Sequence, residues 1–153
     1  MAYIQSYRKN DENCVFCEAA GRADGPENLI LFRGLYNYVI LNRYPYTSGH
    51  VMVVPFRHTG TLEALDAPSR AELIELSNQV IVILQHVYMP QGFNLGINLG
   101  EVAGAGILDH VHMHVVPRWG GDTNFMSTLA GTRVLPEMLE DSYSRIRAAW
   151  NKM

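Results

Sequence analysis

Residues 110–115 read His-Val-His-Met-His-Val, an uninterrupted alternation of imidazole and apolar side chains. Successive side chains on a β-strand point to opposite faces, so an extended segment over 109–117 puts His110, His112 and His114 on one side and Val111, Met113 and Val115 on the other. The apolar side has to pack under something, while the histidine side stays available for chemistry. A fold that accommodates this segment needs a sheet with one covered face. A row of three histidines also fits a solvated sheet face or a metal-binding strip, but imidazoles fill neither core nor surface well. This row directly follows a stretch with Gly100, Gly104 and Gly106.

The remaining elements supply that sheet. Residues 29–33 and 36–41 are short runs of β-formers separated by Gly34-Leu35, which reads as a hairpin, and 50–55 reads as a third strand. Asp66 and Pro68 signal a helix start. Leu73, Leu76, Val80, Ile83 and Val87 then recur at three- and four-residue steps until Pro90, predicting one long helix. Residues 93–99 alternate as a strand, and Pro136 opens a C-terminal helix with Leu139, Tyr143, Ile146 and Trp150 in one stripe. The order β-β-β-α-β-β-α with short links predicts an α+β domain: an antiparallel sheet of about five strands, one long helix and one C-terminal helix. Residues 1–13 read as a flexible arm and 14–153 as a single domain.

Composition narrows the partners. A net charge of −3 gives no global basic field for a nucleic-acid polymer, and no apolar run is long enough for a membrane span. The first ten residues lack the apolar core of a signal peptide, which points to the cytoplasm. A small anion remains a natural ligand, because it needs only a few local donors. Imidazole titrates near pH 6.5, so neighbours can hold one ring neutral and nucleophilic while another assists a phosphate. The glycine stretch adds backbone N–H groups that reach phosphate oxygens without a Cβ in the way.

Together these motifs resemble the histidine triad (HIT) superfamily of nucleotide hydrolases and transferases. The resemblance runs from about Cys14 to Trp150. It is carried by His110-Val111-His112-Met113-His114-Val115-Val116, by residues 41–50 (Leu-Asn-Arg-Tyr-Pro-Tyr-Thr-Ser-Gly-His), by residues 53–58 ending in His58, by Asn98, and by the block from Pro117 to Met126. That last block is similar to the branch holding Fhit-like dinucleoside polyphosphate hydrolases and a diadenosine tetraphosphate phosphorylase. The resemblance implies that His112 attacks the α-phosphorus and carries a nucleotidyl group, that His114 contacts the phosphate or leaving group, and that His110 supports them or binds metal. It further implies that His50 joins the imidazole cluster, that Asn42 holds ribose hydroxyls, that Asn98 with Gly104, Ala105 and Gly106 holds phosphate, and that Trp119 lines the site. Turn or strand-end capping is the alternative for Asn42 and Asn98, and a packed aromatic for Trp119. One departure stands out: Ala105-Gly106 replaces the Gly-Ser pair of the phosphorylase relative, which removes a hydroxyl.

Cys14 and Cys17 have the spacing of a zinc half-site. The resemblance completes it with His58 and His110, and a closed Cys2His2 shell is structural because it leaves no open position for water. Two buried thiols acting as small hydrophobes are the alternative. The expected function is an enzyme cleaving AMP-containing dinucleotides, diadenosine tetraphosphate foremost, by hydrolysis or phosphorolysis, in a homodimer whose sheets join. A Hint-type nucleoside phosphoramidase and a non-catalytic zinc-bearing nucleotide-binding module are the alternatives.

Overall fold

The structure is a computed structural model that describes residues 14–124, 129 and 137–153. The expected arm at 1–13, the motif residues Phe125 and Met126, and the helix-opening Pro136 lie outside the described residues. Five strands, β1 (Ile30–Arg33), β2 (Asn37–Leu41), β3 (Val51–Pro55), β4 (Gly92–Ile97) and β5 (Met113–Arg118), form one sheet in the order β1-β2-β3-β5-β4. Every neighbouring pair is antiparallel. The helices are α1 (Val15–Gly21), α2 (Ala67–Tyr88) and α3 (Leu139–Trp150).

Helix α2 begins as its sequence dictates. Asp66 accepts a hydrogen bond from the Ser69 N–H at 2.9 Å, a proline occupies the first turn, and Met89 closes the other end in the left-handed conformation. Leu73, Leu76, Val80, Ile83 and Leu84 are buried against the sheet. Ser77 Oγ reaches Met113 at 3.1 Å, which fixes α2 over the apolar face of β5. Glu72, on the first turns of α2, ties down the β1–β2 turn: its carboxylate accepts from the backbone N–H groups of Leu35, Tyr36 and Asn37, each at 2.7 Å. Helix α3 buries Tyr143, Ile146 and Trp150, and Trp150 stacks on Phe32 of β1.

Two expectations need correction. The histidine strand was expected over 109–117 but begins at Met113, leaving His110 and His112 in an irregular lead-in. Proline is the reason. The β3–β5 register ends at Val53↔Met113, and Pro55, two residues on, has no N–H to offer the next pair. Its carbonyl oxygen accepts instead from His110 Nε2 at 2.8 Å, and the Val111 N–H turns to the Thr59 carbonyl at 2.7 Å. The second correction is α1, which periodicity over seven residues is too short to reveal.

Candidate active site and metal centre

The lead-in divides the three histidines between two environments. His110 is buried and points at the cysteine pair: its Nδ1 lies 3.3 Å from Cys14 Sγ, 3.6 Å from Cys17 Sγ and 3.2 Å from His58 Nδ1, and His58 Nδ1 lies 3.4 Å from Cys17 Sγ. All four ligand atoms fall within 4.8 Å of one another. A tetrahedral zinc with bonds of about 2.05 Å to nitrogen and about 2.3 Å to sulfur has N···N edges of about 3.4 Å and N···S edges of about 3.6 Å. Four of the cluster's six edges, at 3.2 to 3.6 Å, lie within about 0.3 Å of those lengths. The His110 Nε2–H donates to the Pro55 carbonyl, so Nδ1 carries a lone pair toward the cysteines, and the ring is oriented as a metal ligand's normally is. The residues fit a closed Cys2His2 shell.

His112 sits two residues on, buried to 6% relative exposure. Its Nδ1–H donates to the His110 carbonyl at 2.8 Å, which leaves the Nε2 lone pair as the reactive face of the ring. Burial pushes its pKa down and the bond to the His110 carbonyl partly opposes that shift, so the neutral ring is favoured at neutral pH. Phe16 of α1 packs on both His110 and His112, with ring centroids at 5.4 and 4.9 Å. The apolar residue between the cysteines therefore forms one wall of the site. Sequence reading missed it, because one phenylalanine between two cysteines carries no periodicity; the fold buries Phe16 and leaves Val15 exposed.

The tautomer of His114 follows from a chain of bonds. The Tyr46 N–H donates to His50 Nδ1 at 3.0 Å, and the Asn42 amide nitrogen sits 3.3 Å from the same ring nitrogen. His50 therefore carries its proton on Nε2 and donates to His114 Nδ1 at 2.9 Å. That leaves the His114 proton on Nε2, as a donor. Burial, with a smaller contribution from the His112 charge, lowers the His114 pKa to about 4. The rings of His112 and His114 meet edge to face at 4.8 Å. A lone pair and an N–H donor thus stand side by side, and both rings are neutral.

Asn42 is engaged locally: its Oδ1 accepts from the Tyr44 N–H at 3.0 Å, the capping geometry its turn favours. Asn98 donates to the Gly104 carbonyl at 3.2 Å and so clamps the glycine loop, in which Glu101–Ala103 form a single 3-10 turn. Gly104 has φ +84°, a value that selects glycine, and the Ala105 N–H donates to the Gly100 carbonyl at 3.4 Å. Gly106 has open space where a side chain would project. Beyond His114 a cleft of about 800 Å³ opens, lined by His114, Asn98 and Trp119 among the expected site residues, and by Tyr46, Thr47, Ser48 and Tyr88 among those not foreseen.

Residues 24–121 match the HIT domain family, and the chain belongs to it. It is 44% identical over 124 residues to the AP-4-A phosphorylase of Mycobacterium tuberculosis, covering 81% of this chain and 64% of that one. The chain thus spans under two thirds of that relative's length. Its fold matches a zinc-bound histidine triad family protein from Mycobacterium smegmatis, with TM-score 0.71, 29% identity and coverage of 92% and 94% of the two chains. It also matches a hypothetical histidine triad nucleotide-binding protein from Sulfolobus tokodaii, with TM-score 0.73, 27% identity and coverage of 91% and 93%. Among the described residues no helix is long and apolar enough to cross a membrane.

Proposed function

We propose that this chain cleaves dinucleoside polyphosphates, diadenosine tetraphosphate first among them, through a covalent nucleotidyl intermediate on His112. The observation that carries the reading is the pair of fixed tautomers, a buried neutral His112 with its Nε2 lone pair beside a His114 that presents Nε2–H. Identity at 44% to an AP-4-A phosphorylase supports the substrate class.

In the first step His112 Nε2 forms a bond to the α-phosphorus while the bond from that phosphorus to the bridging oxygen breaks. The oxygen leaves with the electron pair as part of the departing nucleoside polyphosphate, and the His114 Nε2–H stabilises its charge. In the second step an oxygen of inorganic phosphate attacks, the phosphorus–nitrogen bond breaks, and ADP leaves. Water in the same place gives AMP and a released proton. His110 supports His112 through its carbonyl. His50 holds His114, Asn42 serves the ribose hydroxyls, and Asn98 with the backbone of Gly104, Ala105 and Gly106 serves the phosphate. Trp119 borders the same cavity.

Cys14, Cys17, His58 and His110 would hold a structural zinc, supported by the spacing of their ligand atoms and by the zinc-bound relative. When bound, the metal supplies rigidity, fixing the carbonyl that sets the His112 tautomer. A cytoplasmic homodimer is part of the same reading. Reduced cysteines suit that compartment, and β4, an edge strand with exposed Leu95, has an outer side for a second copy to extend the sheet.

The test is product analysis after incubation with diadenosine tetraphosphate. ATP plus ADP appearing only with added phosphate means phosphorolysis, and ATP plus AMP without it means hydrolysis. Turnover of a nucleoside phosphoramidate in preference to the dinucleotide would move the assignment to a phosphoramidase. AMP binding with no turnover of either would make the chain a binding module.

A further inference from the structure

The N–H that His114 turns to the cleft depends on one hydrogen bond between two imidazoles. The His50 Nε2–H donates to His114 Nδ1 at 2.9 Å. Reversing the proton order in this pair turns a lone pair of His114, and not its N–H, toward the cleft. A neutral imidazole exists in two tautomers, and water satisfies either one because it both donates and accepts. The pair keeps a single arrangement only if it is held from behind and kept dry.

The turn over residues 42–50 holds it. The Asn42 N–H donates to the His50 carbonyl at 2.9 Å and the His50 N–H to the Thr47 carbonyl at 3.2 Å, so the turn closes on itself. The Thr47 hydroxyl pins it to β5 by donating to the Pro117 carbonyl at 2.8 Å. Pro45 has no N–H to offer, and the next one, that of Tyr46, reaches His50 Nδ1 at 3.0 Å. The side chain of Tyr46 then lies against the same pair. Its ring centroid is 4.5 Å from that of His50, and 5.9 Å from that of His114 with the planes 20° apart. His50 has no exposed surface, whereas Tyr46 is 47% exposed and lines the cleft beside His114. One face of the phenol ring is thus toward the imidazoles while the side chain borders solvent.

The other neighbours of His114 leave this cover to the tyrosine. Across the β3 ladder it faces Met52 and across the β4 ladder Gly96, and neither brings a polar side chain. His112, on the lead-in, meets it edge to face at 4.8 Å. The charged groups of the cleft wall are paired with one another, Arg118 with Asp122 and Arg145 with Glu137. Asn98, also on the wall, donates its amide to the Gly104 carbonyl. Protonating His114 on Nδ1 would set two N–H groups face to face with His50, so the same bond that orients the ring also keeps it neutral.

We propose that Tyr46 is a positioning residue whose ring shuts water out of the His50–His114 bond, so that His114 meets the substrate with its Nε2–H in place. The consequence for turnover rests on the dinucleotide reading, whereas the state of the ring pair does not, and the test separates them. Protein labelled with a heavy nitrogen isotope is titrated with acid, and long-range imidazole spectra report the tautomer and protonation of each histidine. Spectra of His50→Asn and His114→Asn assign the two rings. In the wild type His114 shows one neutral tautomer, Nε2–H, and titrates well below the ordinary value of about 6.5. In Tyr46→Ala and Tyr46→Gln the wetted pair shows both tautomers, and the midpoint of His114 rises by about one unit. Tyr46→Phe keeps the wild-type spectrum. With diadenosine tetraphosphate, kcat falls about tenfold in the alanine and glutamine variants with KM little changed, and the phenylalanine variant restores it.

Thermal melts identify a variant that fails to fold, and the other then carries the test. A wild-type His114 that titrates at its ordinary value or carries its proton on Nδ1 overturns the proposal, and so does a spectrum unchanged in both variants. If no nucleotide is turned over yet the spectra respond as stated, the catalytic reading falls and the positioning of His114 stands. If turnover proceeds while spectra and kcat are indifferent to Tyr46, the positioning role falls alone.

Discussion

Chelation of the metal tests the link between α1 and the reactive histidine. Four of the six edges among the proposed ligand atoms measure 3.2 to 3.6 Å, within about 0.3 Å of a zinc tetrahedron's edges, and all four atoms lie within 4.8 Å of one another. A metal that binds only the folded chain stabilises it by about 2.7 kcal/mol when its free concentration is a hundred times Kd. For a chain of this size that corresponds to a melting shift on the order of 5–11 °C. Activity should fall as well, because His110 is both a proposed ligand and the residue whose carbonyl fixes the His112 Nδ1 proton. The assay is a thermal melt and a turnover measurement on zinc-replete and chelator-treated protein, with metal content by elemental analysis and Cys17→Ser as the covalent counterpart. Purified protein without metal, whose melt and activity respond to neither added zinc nor chelator, would refute the reasoning.

His112→Gly or His112→Ala should lower turnover by several orders of magnitude while AMP binding and the far-ultraviolet spectrum stay near wild type, and near-normal rates in either variant would remove the covalent mechanism. Stability should decline as pH falls from about 6.5 toward about 4: the His114 pKa is lowered to about 4 in the folded chain, so in that window the unfolded chain binds the proton and the folded one does not. Urea unfolding across the window checks this, and His114→Asn should flatten the slope. Gly106→Ser should raise the ADP to AMP ratio at fixed phosphate by about 3- to 10-fold, the worth of one neutral hydrogen bond. The position has open space and no left-handed φ, so the serine should fold in without strain, and an unchanged ratio would assign acceptor choice to backbone amides.

Much of the architecture was legible because it rests on local rules. Asp66, Pro68 and the 3.6-residue spacing from Leu73 to Val87 define α2 to within a residue at its start, and β-rich runs punctuated by glycine and proline define β1 to β4. Cys14 and Cys17 read as a half-site from their spacing, but His58 and His110 were reachable as their partners only through the resemblance, since Cys14 and His110 are 96 positions apart and their meeting depends on the whole sheet closing. Tyr88 and Glu137 were not legible as partners. Tyr88 reads as an ordinary helix-end aromatic, and the acidic residue that fixes it lies 49 positions away at the entry to α3. Asn42 shows the reverse case, in which local turn chemistry was a sound guide to what the side chain does in the fold.

The three histidines show how identical residues acquire different chemistry. A regular strand through all of them would have given one row of equivalent rings on a common face. Pro55 ends the ladder at Met113, and the freed lead-in lets His110 turn its Nδ1 to the cysteines while its Nε2 takes the carbonyl that the ladder leaves over. His112 then finds the His110 carbonyl as its acceptor and becomes a lone-pair donor at Nε2. His114, still within the strand, keeps the partner its register gives it: it faces Met52 across the β3 ladder, two residues from His50, whose ring sets it as a proton donor. The division into proposed ligand, proposed nucleophile and donor therefore comes from one proline in a neighbouring strand and from which backbone oxygen each ring meets. An apolar residue with an N–H at position 55 would leave every histidine in the sequence while restoring the option of a ladder that erases their differences.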